Sequence, residues 1–167
     1  MSPLANQSPV LVVGIGSAAG DDALGPEVAA RVARELAGSD AGAPAGEVQV
    51  VAHVDPTELV ELMDDRALVV IADATRSAGR AGMLVLREVG AGHPGLIGWA
   101  GGPASSHGWG LAEAVELARV LGRLPERVVV VGVTADRFEP GAALSAPVAH
   151  ALPHAVEAVL SQVRLAT

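Results

Sequence analysis

Asp21 and Asp22 stand side by side at the end of a glycine-rich turn, Asp73 closes an apolar run, and His107 follows two serines. Carboxylates together with an imidazole suit a divalent transition metal held with open coordination positions. Each residue alone has a plainer use: Asp22 or Asp21 as a helix N-cap, Asp73 as a strand-end cap, His107 as a loop residue. What joins them is their placement on three separate elements, whose ends an open α/β sheet brings to one edge. A helix start close to His107 would favour the neutral imidazole, the form a metal requires.

The residue types that are missing narrow the chemistry. The sequence has no Cys, which removes thiolate nucleophiles, iron–sulfur ligation and Cys-bound zinc. It has no Lys for a Schiff base or a P-loop, no Tyr, and no G-x-S-x-G nucleophile elbow. Carboxylate, imidazole, hydroxyl and guanidinium groups remain, with or without a metal. Gly14 and Gly16 begin like a dinucleotide fingerprint, but the next glycine, Gly20, comes one position late. Two acids at the helix start would also repel a pyrophosphate. His150 and His154 have helical metal-pair spacing, yet Pro153 lies between them and no acid shares their face, so a solvated helix is expected. His53 and His93 have no identifiable partner, and Glu58, Glu61, Asp64 and Asp65 read as a wet helix face.

The elements that must position these groups follow from periodicity. Pro9 to Gly14, PVLVVG, is apolar on both faces, as a central parallel strand should be. Ala23 to Leu36 is a helix with Leu24, Val28, Val32 and Leu36 on its buried stripe and Glu27, Arg31 and Glu35 outside. Glu47 to Val54 is a second strand. Asp55 caps a short helix that starts at Pro56 and runs through Met63. Ala67 to Ala72 is a third, central strand ending on Asp73. The link 74–81 is too short for a helical crossover, so the strand from Met83 to Val89 runs antiparallel at one edge. A long Gly-rich loop, 90–106, carries Trp99 and is a candidate substrate-contact element together with Trp109.

Trp109 to Leu121 forms a helix with Leu111, Val115, Ala118 and Leu121 buried, and Arg127 to Val133 is the fifth strand. The last helix buries Val148, Leu152, Val156 and Val159, with a kink or a separate first turn at Pro153. The expected fold is a three-layer α/β sandwich with a mostly parallel five-stranded sheet and an order near 2-1-3-5. Residues 1–8 read as a disordered lead-in, and 9–167 as a single domain.

Half of the 167 residues are apolar and 18% are charged, a folded rather than a disordered composition. A net charge of −8 argues against nucleic acid and anionic membrane surfaces as partners. No run approaches the roughly 20 apolar residues of a membrane span. The first residues lack the basic start and apolar core of a signal peptide, so a cytoplasmic location is expected.

These blocks, in their order, resemble the hydrogenase maturation proteases. The resemblance rests on VVGIGSAAGDDALG, LVVIADA, SSHGWGLAEAVELARVLGRLP and RVVVVGVTADRFEPGAALS with the helix that follows, and it runs from about Val10 to Val163. It implies an endopeptidase that trims the C-terminus of a nickel–iron hydrogenase large-subunit precursor. It also implies that Asp22, Asp73 and His107 contact nickel carried by that substrate, with another divalent metal possible in the isolated protein. Hydrolysis by an activated water fits the lack of a Ser- or Cys-type nucleophile, with Asp21 a candidate base or a cap. The acidic turn differs from the family pattern: Ser17 stands where Asn is usual, Ala23 replaces a common Gly, and the turn is one residue shorter. The alternative is a non-hydrolytic metal-loading sensor or chaperone for the precursor.

Overall fold

Strand β1, Val10–Ile15, is buried along its whole length, and the sheet is built outward from it. The computed structural model describes residues 8–38, 47–76, 79–90, 92–93 and 110–167, without the side chain of His53. Strands β2 (Val48–Val54), β3 (Leu68–Thr75), β4 (Leu84–Val89) and β5 (Arg127–Thr134) complete a five-stranded sheet in the order β2-β1-β3-β5-β4. β1 pairs in parallel with β2 and β3, β3 pairs in parallel with β5, and β4 alone runs antiparallel, at the edge beside β5. Three of the strands, β1, β3 and β5, have neighbours on both sides, which is why their Val-rich runs do not alternate with polar residues.

Helices cover both faces. Helix α1 (Leu24–Gly38) and helix α4 (Ala146–Ala166) pack over Val10, Val12, Val70 and Val131 on one face. Helix α2 (Pro56–Leu62) and helix α3 (Leu111–Val120) pack over Leu11, Val13, Ile71 and Val130 on the other. Leu24, Val28 and Val32 are fully buried, and each contributes about 2 kcal/mol of burial free energy. Asp55 caps α2 as expected, its carboxylate accepting from the Thr57 N–H at 2.9 Å.

Two expectations about the helices are corrected. Leu121 does not join the buried stripe of α3: the helix ends at Val120, Leu121 stands exposed, and Ala114 takes the inward position. Pro153 neither breaks α4 nor separates its first turn, since the element is continuous from Ala146 to Ala166. Pro153 lies on the exposed face, and so does Ala149, whose carbonyl loses its helical donor and is left to water. His150 and His154 lie on that exposed face too, as expected.

The chain passes from β1 to β2 through α1 and returns to β3 through α2, so strand order reverses between β1 and β3. In open α/β sheets the crevice beyond the carboxyl ends of such strands is where ligands bind.

Candidate active site

β1 ends in a sharp turn that delivers two acids to that crevice. Gly16 has φ +140°, and a Cβ there would overlap the Asp22 carbonyl oxygen, so only glycine can turn the chain this way. A 3-10 turn, Gly20–Ala23, then leads directly into α1. The helix start lies close over the sheet: a Cβ on Gly25 would meet the Ala72 carbonyl oxygen at 2.6 Å and overlap that of Ile15.

The two adjacent acids go to different uses. Asp21 is fully buried and caps no helix. Its Oδ1 accepts from the Ser145 N–H at 2.6 Å, and its Oδ2 accepts from the Ser145 hydroxyl at 3.0 Å, the Arg137 N–H at 3.1 Å and the Asp136 N–H at 3.4 Å. The Asp21 N–H in turn donates to the Arg137 carbonyl at 2.7 Å. These bonds fasten the 3-10 turn to the loop between β5 and α4, and they give the buried Asp21 carboxylate a structural use away from the crevice.

Asp22 is half-buried. Its Oδ2 accepts from the Ser17 hydroxyl at 2.6 Å and the Ser17 N–H at 2.8 Å. Among the described residues nothing donates to its Oδ1.

Asp73 comes from the neighbouring strand. β3 does not end at Ala72 as expected but continues to Thr75, so Asp73 lies within the ladder, in register with Gly132 of β5. The alternation of the strand turns Asp73 to the face covered by α2 and α3, the face of Val69 and Ile71. Burial pushes its carboxyl well above the ordinary carboxylate range, the charge of Asp22 pushes it further, and the Ala74 N–H offsets only part of this. The charge of Asp22 therefore reaches Asp73 across the switch point.

His107 lies outside the described residues, as do Trp99, Trp109 and most of the 90–106 loop. Among the described residues no group of three or more His, Cys, Asp or Glu side chains is placed to hold a metal ion. The helix that follows His107 in sequence is oriented by its other end. Arg119, in the last turn of α3, donates to the carbonyl of Gly90 just beyond β4, at 2.7 Å. That contact lies at the amino end of β5, so α3 opens toward the carboxyl edge, where Gly110 caps it and its N–H donates to Glu113 at 3.1 Å. Two residues of the site were not recognised from sequence. Ser145 holds Asp21 from 124 positions away, and the only signal for Ser17 was a hydroxyl in the acidic turn.

A mostly parallel α/β sheet carrying carboxylates at its switch point is a ligand-binding architecture shared by many unrelated activities. The HycI family model, hydrogenase maturation protease, matches residues 30–162. The chain therefore belongs to the hydrogenase maturation protease family, the endopeptidases of hydrogenase maturation. Solved structures agree on the fold. The hydrogenase-maturating endopeptidase HybD from E. coli is 24% identical, with 94% of this chain and 93% of that one covered and a TM-score of 0.67. An endopeptidase from E. coli solved in solution has the same identity and coverage, with a TM-score of 0.77. The hydrogenase 2 maturation peptidase from Thaumarchaeota archaeon SCGC_AB-539-E09 is 25% identical over 93% of this chain and 98% of its own, with a TM-score of 0.61. No curated protein matches the chain in a sequence search. Among the described residues no helix is long and apolar enough to cross a membrane.

Proposed function

We propose that this chain removes the C-terminal extension of a nickel-loaded hydrogenase large-subunit precursor and recognises the inserted nickel through Asp22, Asp73 and His107. The observation that carries the reading is the coupling of Asp22 to Asp73 at the switch point. A buried carboxyl whose ionisation is disfavoured by burial and by a neighbouring carboxylate is a site in want of a cation. Nickel presented by the precursor offsets that repulsion, so a loaded precursor docks more tightly than an empty one. His107 enters this reading as the nitrogen donor, three residues before Gly110 at the helix end that faces the same edge. In the isolated protein the same three side chains suit another divalent transition metal.

The chain's own residues then have separate tasks. Asp22 and Asp73 hold the precursor's metal and so fix where its extended C-terminal segment lies. Asp21 holds the turn. With no thiol in the chain, an activated water is the nucleophile that suits peptide hydrolysis here. Co-expression with a nickel-loaded precursor tests the reading: the wild type shortens the precursor, and His107→Ala and Asp73→Asn do not. Processing that survives both substitutions unchanged overturns the assigned roles, and a bound precursor of unaltered mass overturns hydrolysis itself.

A further inference from the structure

We infer that Ser17 is a positioning residue for metal recognition, fixing the Asp22 carboxylate so that a single oxygen, Oδ1, is presented to the incoming ion. The inference rests on the role proposed for Asp22.

Both polar groups of Ser17 donate to one and the same oxygen. Its hydroxyl reaches Asp22 Oδ2 at 2.6 Å and its N–H reaches it at 2.8 Å. Both bonds are charge-assisted and short, and together they fix the two torsions of the Asp22 side chain. The same oxygen is thereby taken from the metal, which leaves Oδ1 as the group that accepts nothing among the described residues. The result is a one-oxygen ligand aimed before the ion arrives, the arrangement by which outer partners orient metal ligands.

The backbone on either side holds this geometry. Gly16, with φ +140°, brings Ser17 round to face the acid, and the Asp22 N–H donates to the Ala19 carbonyl at 3.1 Å. Asp21 anchors the same turn from its buried side. Ser17 itself is exposed and fills no cavity, and besides its bond to Asp22 its hydroxyl accepts a long one, 3.4 Å, from the Ala19 N–H. A substitution there acts chiefly on the aim of Asp22.

The test is processing of a nickel-loaded precursor by the full-length protein and its Ser17→Ala, Ser17→Thr and Asp22→Ala variants, with thermal midpoints recorded alongside. Ser17→Ala is expected to raise KM for the precursor roughly tenfold, the lower end for loss of an outer partner because the amide donor remains. Its kcat and its thermal midpoint stay at the wild-type values, since what is lost is recognition. Ser17→Thr, which keeps the hydroxyl, restores KM. A wild-type KM for Ser17→Ala while Asp22→Ala is impaired overturns the inference alone. A threonine variant as weak as the alanine one overturns it also, because the hydroxyl is then not the agent. Wild-type processing by Asp22→Ala overturns the underlying reading of Asp22.

Discussion

Asp22 and Asp73 reach the same edge of the sheet by different means. Asp73 is carried by a strand whose register with β5 runs unbroken from Leu68–Arg127 to Thr75–Thr134. Its place is set by a ladder of backbone hydrogen bonds that no single side chain controls. Asp22 lies on a turn that owes its shape to glycine at position 16, to the two donors of Ser17 and to the buried carboxylate of Asp21. One half of the site is built by topology and the other by side chains. Substitutions should therefore separate them: the turn gives way to local changes that leave the strand end intact. The family model matches from residue 30 onward, so it spans Asp73 and leaves the turn outside.

The largest expected effect is at the junction of the two halves. Gly25→Ala adds a methyl group to a helix position, which by propensity alone would stabilise the protein by about 1 kcal/mol. Here the new Cβ would run into the backbone carbonyls of Ile15 and Ala72, and neither can move without disturbing β1 or β3. Sterics win, and urea denaturation should show a loss of about 3 kcal/mol. Asp21→Ala comes next. It strands the Ser145 N–H and hydroxyl and the Arg137 N–H around an empty buried space, at a cost of about 2–3 kcal/mol by the same measurement. Amide hydrogen exchange then distinguishes the two variants: Asp21→Ala accelerates exchange at Arg137 and Ser145 while the β3–β5 ladder keeps its protection. Equal acceleration in the ladder would mean that the turn and the strand are one cooperative unit.

The same division explains how far the sequence could be read. Five strands, their order and the antiparallel edge strand follow from apolar runs and from the short 74–81 link, because each is a local signal with one topological outcome. Asp73 was placed at the end of its strand because the apolar run stops at Ala72, whereas pairing with β5 carries the strand on to Thr75. From sequence alone Asp21 reads as a cap or a base, because a carboxylate before a helix has those local uses. Its actual partners, Arg137 and Ser145, lie 116 and 124 positions away, and no periodicity announces them. The continuity of α4 through Pro153 was missed for a similar reason, since the solvent-facing side of the helix is set by packing against α1.

The smallest effect tests the strand half alone, and it has the opposite sign. Asp73→Asn keeps the shape of the side chain and removes a charge that burial and Asp22 both disfavour. The variant should be more stable than the wild type by about 1 kcal/mol at pH 8. The pH dependence follows from proton linkage. With a folded-state pKa raised above the unfolded one, wild-type Asp73 binds more protons folded than unfolded between the two values, so its stability falls as pH rises through that window. Well below the unfolded-state value of ~3.9 the carboxyl is protonated in both states, and the advantage of Asn disappears. Denaturation of the two proteins across pH should therefore give curves that meet in acid and part toward neutrality. The more stable variant should be the one that no longer processes the precursor, because the repulsion it relieves is what the substrate's nickel would otherwise neutralise. An Asn variant with no gain at pH 8 would mean that neither burial nor Asp22 disfavours the Asp73 carboxylate, and a gain that persists unchanged in an Asp22→Ala background would assign it to burial alone.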